Sequence, residues 1–115
     1  MTFAATPKPP YHAVIFSSRR TAADEAGYAA MATRMDDLAK TMPGYLGVES
    51  ARDAEGFGIT VSYWESELAI LHWKREISHL AAQQAGKTRW YEHYDVRVAK
   101  VERAYNGPGG RLSTT

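Results

Sequence analysis

The apolar positions of this chain switch between two periods, and the switches mark out its elements. Tyr11 to Ser18 centres on Val14, Ile15 and Phe16 and predicts a strand. From Tyr28 the spacing lengthens. Tyr28, Met31, Met35, Leu38 and Met42 recur at i, i+3, i+7, i+10 and i+14 as one helical stripe, with Arg34, Asp36, Asp37 and Lys40 outside it. Thr21 followed by Asp24 supplies a capping-box variant at the start of that helix. Pro43-Gly44 stops it, because proline cannot continue a helix and glycine tolerates the exit geometry. The helical methionines read as packing against a sheet, since the flexible thioether fills irregular gaps.

Period two then returns. Leu46 to Arg52 alternates Leu46, Val48 and Ser50 against Gly47, Glu49 and Ala51. After a turn at Asp53–Gly58, the next strand sets Phe57, Ile59, Val61 and Tyr63 against Gly58, Thr60, Ser62 and Trp64. The first of these two faces is the more apolar, and it is the one expected to lie under helices. Ser66 caps a second helical region whose inward stripe is Ile70, Trp73, Ile77, Leu80 and Ala81, with a break expected near Arg75 and a stop at Gly86. Trp90 to Tyr105 is long enough for a bent last strand carrying Tyr91, Tyr94, Val96, Val98 and Val101. The order β-α-β-β-α-β predicts an α+β, ferredoxin-like domain: a four-stranded antiparallel sheet with both helices on one face. The domain is expected over residues 11–105, with an extended Pro-rich segment at 1–10 and a flexible Gly-rich tail at 106–115. A sheet with one bare apolar face is expected to pair with a second copy.

Composition narrows the chemistry. At 115 residues with 44% hydrophobic and 23% charged positions, the chain fits one globular domain. A formal net charge of +1 gives no field for nucleic acid or an anionic membrane. Lys87, Arg89, Arg97, Lys100 and Arg103 are interspersed with acids. The absence of cysteine removes disulfides, thiolate metal sites and a cysteine nucleophile, and it fits a cytoplasmic location. No signal segment or membrane-spanning run is apparent.

The Pro43-Gly44 stop, the two alternating strands, Trp64-Glu65-Ser66 at a strand end, Trp73 and the His79-Leu80-Ala81-Ala82 stretch together resemble the antibiotic biosynthesis monooxygenase (ABM) superfamily of dimeric α+β barrels. The resemblance covers roughly residues 11–105. It implies a homodimer in which two sheets close a barrel. It also implies an oxidoreductase that needs no cofactor and oxygenates an aromatic or quinol-like small molecule through its carbanion. A non-catalytic small-molecule-binding or structural dimer of the same fold is the alternative. A haem-degrading branch carries an Asn on the first strand, a Trp and an axial His. Trp73 matches the Trp, but Gln83 stands where the His would fall and the sole Asn is Asn106.

Under the oxygenase reading, Trp64 and His79 are the candidate catalytic residues. Trp73, Thr60 and Ser62 are the candidate substrate contacts, and no metal is expected. Imidazole titrates near neutrality and can accept a phenolic proton. That role requires His79 to open on a cavity shared with Trp64 or Trp73. His72 and His79 are about 10 Å apart along a helix, too far to share a metal ion. His12 and His93 fall on the first and last strands, with their facing left open. His93, Asp95 and Arg97 are expected to form an exposed ladder, a polar cluster inside the barrel being the alternative.

Overall fold

The computed structural model describes residues 2–83, 89–109 and 111–112; the side chains of 81–83 and 111–112 lie outside that description. The order is β1 (Tyr11–Arg20), α1 (Glu25–Thr41), β2 (Tyr45–Arg52), β3 (Phe57–Trp64), α2 (Glu67–Gln83) and β4 (Tyr91–Val101), followed by the short strands β5 (Tyr105–Asn106) and β6 (Arg111–Leu112). The first four long strands form one antiparallel sheet in the order β2-β3-β1-β4, the ferredoxin-like arrangement. β4 ends at Val101, short of the Tyr105 limit that the sequence suggests, and Tyr105 instead pairs with Leu112 in the small hairpin. The expected stop at Gly86 lies outside the described residues. Among those residues no helix is long and apolar enough to cross a membrane.

The caps are local and specific. Asp24, not Thr21, is the N-cap of α1. It holds a left-handed conformation (φ 48°), and its Oδ1 accepts the Gly27 N–H at 3.0 Å. A Cβ on Gly27 would lie 2.0 Å from the Asp24 carboxylate, so glycine is needed for this cap to close. Thr21 instead ties the start of the turn to the far end of the chain, donating to the Arg89 carbonyl at 2.8 Å. Ser66 caps α2 as expected, its Oγ accepting the Ala69 N–H at 3.1 Å. α2 runs through Arg75 without the expected break.

Register fixes what shares a face, because directly paired residues of antiparallel strands project to the same side. His12 pairs with Trp64 and Lys100, Val14 with Ser62 and Val98, and Phe16 with Thr60 and Val96. The core lies on that side: Trp64, Ala39, Ala69, Ile70 and Trp73 are buried together, with Val14, Met35, Leu38 and Met42 packed against them. The helices therefore cover the Gly58–Thr60–Ser62–Trp64 face, opposite to the face that the alternation of β3 suggested. Small residues near the middle of the strand leave room for the methionine and leucine side chains of α1, and one indole anchors the end. The more apolar face, with Phe57 and Ile59 about two-fifths exposed, is the bare one.

The bare face is not wholly uncovered. The N-terminal segment crosses it: the Ala4 N–H donates to Glu49 Oε2 at 3.0 Å, and the Ala4 methyl approaches Gly47. On the same face Tyr63 donates to Glu49 Oε1 at 2.7 Å, and Tyr11 meets Tyr63 edge-on at 5.8 Å. Burial and then the Glu49 bond push the Tyr63 phenol up to about 12. Glu49 is held below the ordinary glutamate range, chiefly by Tyr63 and then by the Ala4 N–H.

Candidate functional site

Three of the five residues singled out in the sequence come together. Trp64 has no exposed surface, stacks on Trp73 at 5.7 Å, meets Tyr45 edge-on at 5.6 Å and donates from Nε1 to Ser62 Oγ at 2.9 Å. Period two along β3 brings Ser62 and Trp64 to one side, and Trp73 reaches them from the second turn of α2. Thr60 points to the same side but is engaged elsewhere, sharing a 2.8 Å hydrogen bond with Ser50 across β2. His79 stands apart. It is exposed on α2, and its side chain makes no hydrogen bond among the described residues. The side chain of Gln83, at the end of α2, lies outside the described residues.

Two shallow surface depressions lie elsewhere. One of about 480 Å³ is lined by Lys100 to Arg103 and Tyr105. Another of about 310 Å³ lies between Thr2–Phe3 and the bare face at Glu49, Ile59 and Val61. Neither is lined by Trp64, Trp73 or His79. The Trp64–Trp73 stack is thus the centre of the core, and Trp73 is its outermost ring at 8% exposure.

The helix side holds a more open surface one strand away. Along β4, Tyr94, Val96 and Val98 face the helix side yet are 55%, 52% and 52% exposed. With Val14 and Phe16 of β1 they make an apolar strip, and Phe16 stacks on Tyr94 at 5.4 Å. His12 lies at one end of this strip, between Trp64 and Lys100 in register. Its Nδ1 is buried without a hydrogen-bond partner among the described residues. A buried polar atom left unpaired is costly, about 1–3 kcal/mol. Strand register is a tertiary property, so no sequence signal could have put His12 here.

The other end of the strip is cationic and phenolic. Phe16 meets Tyr91 edge-on at 5.3 Å, and Tyr91 meets Tyr28 of α1 at 5.8 Å. The Arg20 guanidinium, almost wholly buried, lies 3.6 Å from the centre of the Tyr28 ring. It donates to the Trp90 carbonyl at 2.8 Å and to Glu25 at 3.1 Å. Arg52 donates to Ser18 Oγ at 3.0 Å and to the Tyr28 hydroxyl at 3.4 Å. Burial, and then the bond to Tyr28, pushes the Tyr91 phenol well above its ordinary value. Away from both sites, His93, Asp95 and Arg97 form the exposed ladder that the sequence suggested, on the bare face.

A family model described as "Antibiotic biosynthesis monooxygenase" matches residues 10–85, which span β1 through α2. The chain belongs to the ABM family. It is 57% identical over 98 residues to "Uncharacterized protein YqjZ" of Bacillus subtilis (strain 168), covering 85% of both chains. Among solved structures it resembles PA3566 from Pseudomonas aeruginosa, with a TM-score of 0.61 at 10% identity over 85% of this chain and 98% of that one. It also resembles NE2512, a protein of unknown function from Nitrosomonas europaea, with a TM-score of 0.65 at 13% identity over 87% of this chain and 97% of that one. These two likenesses concern the fold alone. Family membership gives a monooxygenase-like superfamily and leaves the substrate to be argued from the site.

Proposed function

We propose that this ABM-family chain is a cytoplasmic homodimer that oxygenates a planar aromatic or quinol-like molecule without a cofactor. The observation that carries the reading is the helix-side strip, an apolar floor bordered by the His12 imidazole. A flat ring lies on Val14, Phe16, Val96 and Val98, with the edge of Trp73 toward the core. An imidazole takes a proton from the acidic ring position. The resulting carbanion gives its electrons to dioxygen. One oxygen atom stays on carbon as a carbonyl, and the other leaves as water with the two hydrogens of the original methylene.

Two imidazoles compete for the base. His79 has the sequence pattern in its favour, but it is exposed and outside the core cluster. His12 borders the strip, with its Nδ1 sealed from solvent and its Nε2 left to meet a substrate. Trp64 supports Trp73 from behind, since it has no surface left to touch a substrate. Thr60 and Ser62 serve as polar lining, with Ser62 fixing the Trp64 indole. The exposed position of His79 and the sealed Trp64 also favour a second reading, a non-catalytic binder of the same aromatic class.

Oxygen uptake with a panel of dihydroxy-aromatics separates the readings. Turnover is expected, with His12→Ala slower by about 10²–10⁴-fold and His79→Ala near wild type. Saturable binding of the panel without oxygen uptake would establish the binder instead. Loss of activity in His79→Ala, with His12→Ala unaffected, would return the base to α2.

A further inference from the structure

β4 is the least protected part of the sheet. It is 11 residues long and pairs with β1 along one edge, while its other edge meets no strand among the described residues. Every position from Glu92 to Lys100 is exposed, whereas β2, the opposite edge of the sheet, is half-buried from Tyr45 to Ser50. The helices pack on β2 and β3. An open edge presents a row of free N–H and C=O groups, and proteins blunt such edges with lysines, prolines, bulges or short strands. In β4 a bulge at Glu92 and a lysine at position 100 stand at the two ends. Between them His93 to Ala99 has no such device. Its charges alternate in sign, with Asp95 and Arg97 on the bare face and Tyr94, Val96 and Val98 on the helix side. That stretch is complementary to itself run backwards.

We infer that β4 pairs antiparallel with β4 of a second copy of this chain, about a two-fold axis at Val96. In that register Asp95 lies opposite Arg97 of the second copy, Tyr94 lies opposite its Val98, and Val96 lies opposite itself. Opposite charges and aromatic–β-branched pairs set directly across a ladder are stabilising, and like charges there are not. Neighbouring registers lose these pairs. An axis at Asp95 or at Arg97 sets like charges face to face, and an axis at Val98 leaves Arg97 and Asp95 opposite Ala99 and Val101. The inference rests on the homodimer reading and assigns the edge and register by which the copies join. Two four-stranded sheets joined in this way make eight strands, about the number that closes into a barrel, so the bare faces still turn toward each other. The consequence for the site is direct. Tyr94, Val96 and Val98 belong to the helix-side strip, so the two strips run together across the axis. Tyr94 of each chain then borders Val98 of the other, and both chains make the floor under a planar ligand.

The chain has no cysteine, so single cysteines in the intact protein report the contact without interference. The two copies of residue 96 should lie about 4.5–5.5 Å apart at Cα, within reach of a disulfide. Mild oxidation of Val96→Cys is therefore expected to give a covalent dimer. Val98→Cys should stay uncrosslinked, because its counterpart is displaced by about 13 Å along the strand at about 3.3 Å per residue. Both side chains face the helix side, so packing of the bare faces alone cannot bring either to its copy. Mixing Asp95→Arg/Val96→Cys with Arg97→Asp/Val96→Cys tests the charges. Each variant sets like charges opposite each other in its own dimer, and the mixed dimer restores both ion pairs. Mass spectrometry should then find the mixed disulfide in excess of random pairing. No cross-link in Val96→Cys, equal cross-linking in Val98→Cys, or random pairing in the mixture overturns the inference. Light scattering keeps the two readings apart: a dimer without a Val96→Cys cross-link refutes this edge pairing alone, and a monomer refutes the homodimer as well.

Discussion

Ser62→Ala tests whether Trp64 is held as the structure describes. Trp64 has no exposed surface, and its Nε1–H has Ser62 Oγ, at 2.9 Å, as its partner. Removing that oxygen leaves a buried indole N–H unpaired, which costs about 1–3 kcal/mol. With a urea slope of about 1–3 kcal/mol per M, a loss of about 2 kcal/mol lowers the unfolding midpoint by about 1 M. Trp64→Phe removes the donor itself. In that background Ser62→Ala should cost almost nothing, so the double-mutant cycle is expected to show a coupling of about 1 kcal/mol or more. Truncation to Trp64→Ala should cost about 3–5 kcal/mol, because the stack on Trp73 and the edge contact with Tyr45 both go. That is a large part of a typical domain's stability of about 5–15 kcal/mol. Urea titrations of all four chains of the cycle should be run at one protein concentration, since dimerisation would otherwise shift the midpoints. If Ser62→Ala and Trp64→Phe add within about 0.3 kcal/mol, the indole is not held by Ser62 and the packing argument fails.

Two further outcomes concern the bare face. Light scattering should give twice the 12.8 kDa chain mass, and Val61→Arg, which puts a charge in the middle of that face, should shift the protein toward monomer; a wild-type monomer at micromolar concentration would dismiss the proposed assembly. The N-terminal segment should be released by acid. The Glu49 carboxyl is lowered by Tyr63 and by the Ala4 N–H, so its contribution is fully present above the unfolded pKa and is lost as pH falls through the lower folded one. Hydrogen exchange at Ala4 should therefore be slow at neutral pH and rise below the ordinary glutamate range, and Glu49→Gln should show fast exchange at both; protection that ignores both pH and the substitution would show that Glu49 does not hold the strap.

Element order was legible because period, caps and stops agree locally: the Met stripe of α1, Pro43-Gly44 and Ser66 all act where the spacing puts them. The facing of β3 was not legible. Hydrophobicity alone favours putting Phe57, Ile59, Val61 and Tyr63 under the helices, but a sheet with two apolar faces can give the greasier one to another partner. What decides is shape. Gly58 leaves room for the Arg52 guanidinium, the small Thr60 and Ser62 leave the middle of the strand low, and Trp64 fills the end beside α1 and α2. The capping residue moved from Thr21 to Asp24 because the first turn also had to admit Gly27 beneath the carboxylate. His12, Arg20 and Arg52 were unreadable as a site, since their neighbours come from register and from a helix distant in sequence.

The two faces of the sheet differ most in how completely their polar groups are paired. On the bare face Glu49 accepts from Tyr63 and from the Ala4 N–H, and Tyr11 donates to Thr6 at 3.2 Å, so the half-buried oxygens there have partners. On the helix side the core is equally orderly around Trp64, but the strip beside it carries, at its two ends, the buried His12 Nδ1 and Trp90 Nε1, neither with a partner among the described residues. Stability alone would remove such groups or pair them, because a buried donor or acceptor without a partner costs more than its bond would return. A second copy of the chain meeting the bare face could not satisfy them, as they lie on the opposite side of the sheet. That asymmetry is a physical reason to look for this protein's chemistry between β4 and the helices, and for its assembly on the face behind.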